Sequence, residues 1–224
     1  MKALRVAVCA GVVALAGCSG AHRAPHTVAM PRDGRGSAAL EVVNGATAVT
    51  VGTADLGGNL IRVSTPAGSG IRPVLTGHGP VLLHLEATGQ GGPAAVRILL
   101  NPHVTWRLRF AGGTSTTSVL LGHGRVSEVD FAAGSSAITM TLPRPAGTAT
   151  VVLAGGASRA TLSLPAGVPA RLRLGGGAAS VTLAGQTHVG VAGGTVLAAP
   201  GWARAASRYD IDATAGVSAV SVSD

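Results

Sequence analysis

Aromatic residues are scarce in this chain: Trp106, Phe110, Phe131, Trp202 and Tyr209 are the only five in 224 residues. That scarcity excludes a core built on bulky rings and leaves too few stacking platforms for nucleic-acid binding. Lysine is scarcer still, with Lys2 alone, and nine acids face 17 Lys and Arg. Cysteine occurs only at Cys9 and Cys18, so a disulfide framework is not the source of stability. The apolar stretch 6–17 covers about 18 Å as a helix against a hydrocarbon core of roughly 30 Å, and no later stretch is long enough to span either.

What is plentiful is glycine, 34 residues, within a chain that is 46% hydrophobic. Disordered chains lack such aliphatic content. Small aliphatic residues punctuated by glycine suit narrow, repetitively turned β structure, and the length allows a real core.

The first 17 residues have the layout of a secretory signal. "MKALR" carries two cations and no acid, and "VAVCAGVVALAG" is a short uncharged apolar run. Leu15-Ala16-Gly17-Cys18 then resembles the lipobox of bacterial lipoproteins. The resemblance implies acylation of the Cys18 sulfur, cleavage after Gly17, and a protein exported across the cytoplasmic membrane. It would be lipid-anchored on the outer face of that membrane, or on an outer membrane where the cell has one. Two or three acyl chains make such an anchor stable, at about 0.8 kcal/mol per buried CH₂. Residues 1–17 thus read as a signal peptide and 18–36 as a flexible tether rich in Gly, Pro and isolated charges. Residues 37–224 read as one folded domain.

The formal charge is +8, and losing Lys2 and Arg5 with the signal leaves 15 − 9 = +6. A modest positive field of scattered arginines favours anionic envelope polymers or another envelope protein as partners, beside the membrane itself, and disfavours nucleic acid.

The glycines recur with a period. "FAGG" begins at Phe110, "FAAG" at Phe131, "LAGG" at Leu153 and "LGGG" at Leu174, spaced by 21, 22 and 21 residues. Less regular copies begin at Val51 and Leu85. Each copy carries an alternating stretch on either side of the glycines, such as "TWRLRF" before and "SVLL" after. Two short strands and two turns per unit predict one rung of a β-solenoid, within an all-β fold; an antiparallel β-sandwich is the alternative.

With Trp106, Leu108 and Phe110 inward, Arg107 and Arg109 face out, and Glu128 and Asp130 take the equivalent places one rung on. Arg171 and Arg173 recur two rungs later, where the period sets them opposite only Thr150 and Val152. They are the candidate contact residues. A hydroxyl ladder of two or three rungs, Thr139/Thr141 over Thr161/Ser163 with Thr182 below, resembles ice-binding surfaces in kind. The segment from about 199 breaks the period and reads as a cap, with Trp202 and Tyr209 covering the last rung.

This C-terminal portion, together with "LGGGAASVTL", resembles the toastrack-type putative adhesin domains of bacterial envelope proteins. The resemblance covers roughly residues 40–224 and implies a Gly-punctuated solenoid with an interaction or signalling role, carrying no catalytic residues.

Nothing in the sequence names a reaction. The seven histidines make no zinc-binding motif, since the one i, i+4 pair, His22 and His26, falls in the Pro-containing stretch read as a tether; the two "GHG" segments at His78 and His123 read as turns, and "GTSTTS" has no nearby base. Asp210 and Asp212 share a strand face without a third acid. The expectation is therefore a lipid-anchored structural or interaction module contacting envelope components, with no enzymatic activity, cofactor or metal. An envelope enzyme with an unrecognised site, or a carrier of a small apolar ligand, is the alternative.

Overall fold

The computed structural model describes residues 24–224, so the expected signal peptide, Gly17 and Cys18 lie outside the described residues. In chain order the strands are β1 (Thr27–Pro31), β2 (Ser37–Val42), β3 (Ala46–Thr53), β4 (Asn59–Ser64), β5 (Ile71–Thr76), β6 (Val81–Ala87), β7 (Ala95–Leu100), β8 (Thr105–Phe110), β9 (Thr114–Leu120), β10 (Arg125–Phe131), β11 (Ser135–Thr141), β12 (Thr148–Leu153), β13 (Ala157–Ser163), β14 (Ala170–Leu174), β15 (Ala178–Leu183), β16 (Gln186–Val191), β17 (Thr195–Ala198), β18 (Arg208–Ala213) and β19 (Val217–Ser223). A three-residue 3-10 turn, Trp202–Arg204, is the one helical element among the described residues.

The strands form two facing sheets. Sheet A runs β1-β4-β7-β3-β9-β11-β13-β19-β15-β16, and sheet B runs β17-β14-β18-β12-β10-β8-β2-β6-β5. Each of the pairs β2/β3, β6/β7, β8/β9, β10/β11, β12/β13, β14/β15 and β18/β19 gives one strand to each sheet, and neighbouring rungs pair in parallel. The protein is all-β and solenoid-like, and this parallel pairing sets aside the antiparallel sandwich.

Alternation builds the core. In "TWRLRF", Trp106, Leu108 and Phe110 are buried and Arg107 and Arg109 exposed. The apolar residue that opens each repeat forms a column through the stack: Val42, Phe110, Phe131 and Leu153 are register neighbours. The Phe110 and Phe131 rings stack 4.7 Å apart at 14°, matching the inter-strand spacing. The corner that follows is glycine because successive corners lie on one another. A Cβ on Gly155 would overlap the backbone of Ala133, and one on Gly112 would overlap that of Asn44.

Three expectations need correcting. First, rungs do not stack in chain order. The spatial order is β6/β7, β2/β3, β8/β9, β10/β11, β12/β13, β18/β19, β14/β15. The C-terminal strands β18 and β19 are inserted between β12/β13 and β14/β15, and so form an internal rung rather than a cap. Tyr209, Ile211 and Ala213 are fully buried there because both sides of the rung are covered.

Second, antiparallel strands close the two ends. β16 and β17 fold back on β15 and β14, and β4 and β5 fold back on β7 and β6. The first reversal is a two-residue hairpin, Ala184-Gly185, with φ of 48° and 75°, the positive values that such a turn requires. The copy expected at Val51 is not a rung, since β3 and β4 both lie in sheet A.

Third, the stretch expected as tether, 18–36, contains a strand. β1 pairs antiparallel with β4 and forms an outer edge of sheet A. Its "TVAM" alternates, turning Val28 and Met30 toward the core.

Candidate interaction faces

The two outer faces differ in charge. Sheet B strands carry Glu41, Glu86, Glu128, Asp130, Asp210 and Asp212 together with Arg72, Arg107, Arg109, Arg125, Arg171, Arg173 and Arg208, a balance of 7 − 6 = +1. The ten strands of sheet A carry Arg62, Arg97 and Arg159 and no acid at all.

Sheet B neutralises itself. Arg107 meets Glu128 at 3.1 Å, Arg109 meets Asp130 in register and lies 4.0 Å from Glu41, and Arg72 meets Glu86 at 2.7 Å. The Arg/acid rows expected between adjacent rungs are therefore present.

Arg171 and Arg173 do not face Thr150 and Val152, because the inserted β18 brings Asp210 and Asp212 beside them. The Arg171 Nε donates to Asp210 Oδ1 at 3.0 Å and its Nη2 to Oδ2 at 2.6 Å, while Arg173 Nη2 donates to the same Oδ2 at 2.6 Å. These bonds, Arg171's foremost, hold the Asp210 carboxyl below its ordinary range against a smaller opposing effect of burial. The Arg171 guanidinium also lies 3.8 Å from the centre of the Trp202 ring, with that of Arg208 at 4.7 Å. Trp202 in turn donates its Nε1 to the Tyr209 carbonyl at 2.7 Å. Buried Tyr209, whose phenol is pushed far above its usual range by desolvation, donates to the Pro143 carbonyl at 2.6 Å. Trp202, Arg171 and Asp210 therefore fasten the inserted rung.

Sheet A is open by contrast. None of Arg62, Arg97 and Arg159 joins an ion pair among the described residues. Register places one outward residue of every strand in a single transverse row: Thr27, Ser64, Arg97, Thr50, Ser118, Thr139, Thr161, Ser221, Thr182, Thr187. Nine hydroxyls and one guanidinium thus lie in line, spanning about 43 Å at the inter-strand spacing. Sequence reasoning found only Thr139, Thr161 and Thr182, because Ser221 belongs to the inserted rung and Thr50, Ser64 and Thr27 to strands outside the period.

Beside Arg97 the face has a recess of about 290 Å³, lined by Thr50, Ser64, Thr65, Pro66, Ala95, Val96 and Arg97. Thr65 is 3% exposed, and its Oγ1 has no hydrogen-bond partner. Among the described residues no group of three or more His, Cys, Asp or Glu comes together.

No protein-family model matches this chain, and no curated protein matches it. Two solved structures align with it. A putative cell adhesion protein from Clostridium sporogenes ATCC 15579 aligns over 89% of this chain and 98% of its own, at 14% identity and a TM-score of 0.67. A putative adhesin from Bacteroides fragilis NCTC 9343 covers 89% of this chain and 97% of its own, at 8% identity and a TM-score of 0.27. The first shares the fold.

Proposed function

We infer that this protein is an extracytoplasmic interaction module, lipid-anchored through Cys18, whose sheet A contacts envelope components: anionic polymers or another envelope protein. The observation that carries this reading is the acid-free outer face of sheet A, where, among the described residues, three arginines join no ion pair and, of the line of hydroxyls, only Thr182 and Thr187 bond to each other. Hydroxyls both donate and accept, so such a face meets polar surfaces without fixing one partner geometry. The fold shared with a protein described as a cell adhesion protein supports the reading.

The anchor and the face are arranged compatibly. β1, the first strand, is one edge of sheet A, and β16 is the other. An acylated Cys18 would hold the β1 end at the membrane, leaving the row to extend toward β16.

Fractionation of Cys18→Ser separates the two parts. The variant is expected to leave the detergent-extractable membrane fraction yet still to sediment with isolated, delipidated envelope fragments. Retention of the variant in the membrane contradicts the anchor, and failure to sediment with the fragments contradicts the contact role.

A further inference from the structure

The geometry points to one ligand class for that face: we propose that the sheet A row binds an extended anionic glycan, with a carboxylate- or phosphate-bearing sugar seated in the recess beside Arg97. The inference rests on the interaction-module reading and names its ligand.

Four observations converge on this recess. Arg97 stands in the row itself, between Ser64 on one side and Thr50 on the other. It has no carboxylate partner among the described residues, so its fork of donors is available for the paired oxygens of a carboxylate or phosphate. Arg62 is cross-strand to Leu99, two positions from Arg97 on the same face, and adds a second cation. The buried Thr65 hydroxyl, without a partner, is among the recess-lining groups.

The volume, about 290 Å³, lies at the small end of ligand pockets and suits one sugar unit rather than a large cofactor. From there the hydroxyls of Thr50, Ser118, Thr139 and Thr161 continue the line at about 4.8 Å intervals. A polymer with hydroxyls along its length can lie on such a track. A protein strand cannot use it in the same way, because the face presents side chains rather than free main-chain groups. Arg159, flanked by Ala137 and Ala219 on the neighbouring strands, supplies a further cation beside the track. Arg97 and Arg159 rise from the face, so the flat lattice match of an ice-binding surface is broken at both.

The test is titration of the full-length chain, kept in detergent, with polygalacturonate, neutral dextran and inorganic polyphosphate at two salt concentrations. Polygalacturonate is expected to bind, more weakly at high salt, with dextran at least about tenfold weaker and polyphosphate intermediate. Arg97→Gln is expected to cost about tenfold, and Thr139→Val a few-fold, while Arg107→Gln on sheet B stays within twofold. Thermal unfolding of each variant shows that the fold is kept.

Equal binding of dextran would overturn the anionic requirement, and equal binding of polyphosphate the sugar requirement. Arg107→Gln losing as much as Arg97→Gln would overturn the site, as would no binding of polygalacturonate. If the Cys18→Ser protein still sediments with envelope fragments after their glycans are digested away, the ligand class is wrong while the interaction module stands.

Discussion

Arg171 and Asp210 lie 39 residues apart in sequence and side by side on parallel strands, joined by two hydrogen bonds of 3.0 and 2.6 Å. The pair exists only because the chain returns from the end strands β16 and β17 to wedge its last two strands into the stack. Asp210→Asn should therefore loosen the junction between β14 and β18, lowering the thermal midpoint by about 2–8 °C near neutral pH. The native Asp210 pKa lies below the ordinary 3.8, so its stabilisation is complete above that value and is lost as pH falls through the depressed one. The gap between native protein and variant should close in acid; thermal scans across pH check this.

Removing residues 208–224 should unfold much more than an end. Those residues form β18 and β19, and without them β14/β15 and β12/β13 lose the neighbour each pairs with. Far-UV circular dichroism and hydrogen exchange on the truncated chain should show loss of protection through β12–β15. A truncated protein that still melts as one cooperative unit would mean that the two remaining rungs pair directly.

Two glycines should respond unequally to alanine. At Gly155 the added Cβ meets the backbone of Ala133 in the neighbouring corner, whereas at Gly79 nothing lies within 4 Å. Urea unfolding should show a loss of about 1–3 kcal/mol or more for Gly155→Ala and about 0.5 kcal/mol or less for Gly79→Ala.

Phe131 sits in the column between Phe110 and Leu153 and is 2% exposed. Phe131→Ala should cost about 3–5 kcal/mol by the same measurement. Phe131→Leu, which repeats the choice already made at Leu153, should cost less than half as much.

The rung was legible because it is local. The glycines that follow Phe110, Phe131 and Leu153 mark corners that do stack, and alternation in "TWRLRF" and "TATVVL" places the inward residues correctly. Which rung lies beside which is not local. Leu174 follows Leu153 by one period, yet Leu174 pairs with Ala213, since β18 takes the place between. That misplacement hid Asp210 from Arg171, made the last strands look like a cap, and left Ser221 out of the hydroxyl row between Thr161 and Thr182. The segment "ATAGVSAVSV" does carry the repeat's own corner and alternation, a signal masked by the intervening hairpin. β1 went unseen because four alternating residues between prolines have no period to join. Arg97 and Thr65 could not be found from spacing, since their meeting depends on β4 folding back antiparallel on β7.

The most direct measurement is residue-specific crosslinking on intact cells. A photoreactive side chain is placed at Thr161, in the sheet A row, and in a separate strain at Thr150, on the outer face of sheet B. Mass spectrometry should find envelope adducts from position 161 and few or none from position 150. Adducts from 150 alone, or equally from both, would contradict sheet A as the binding face.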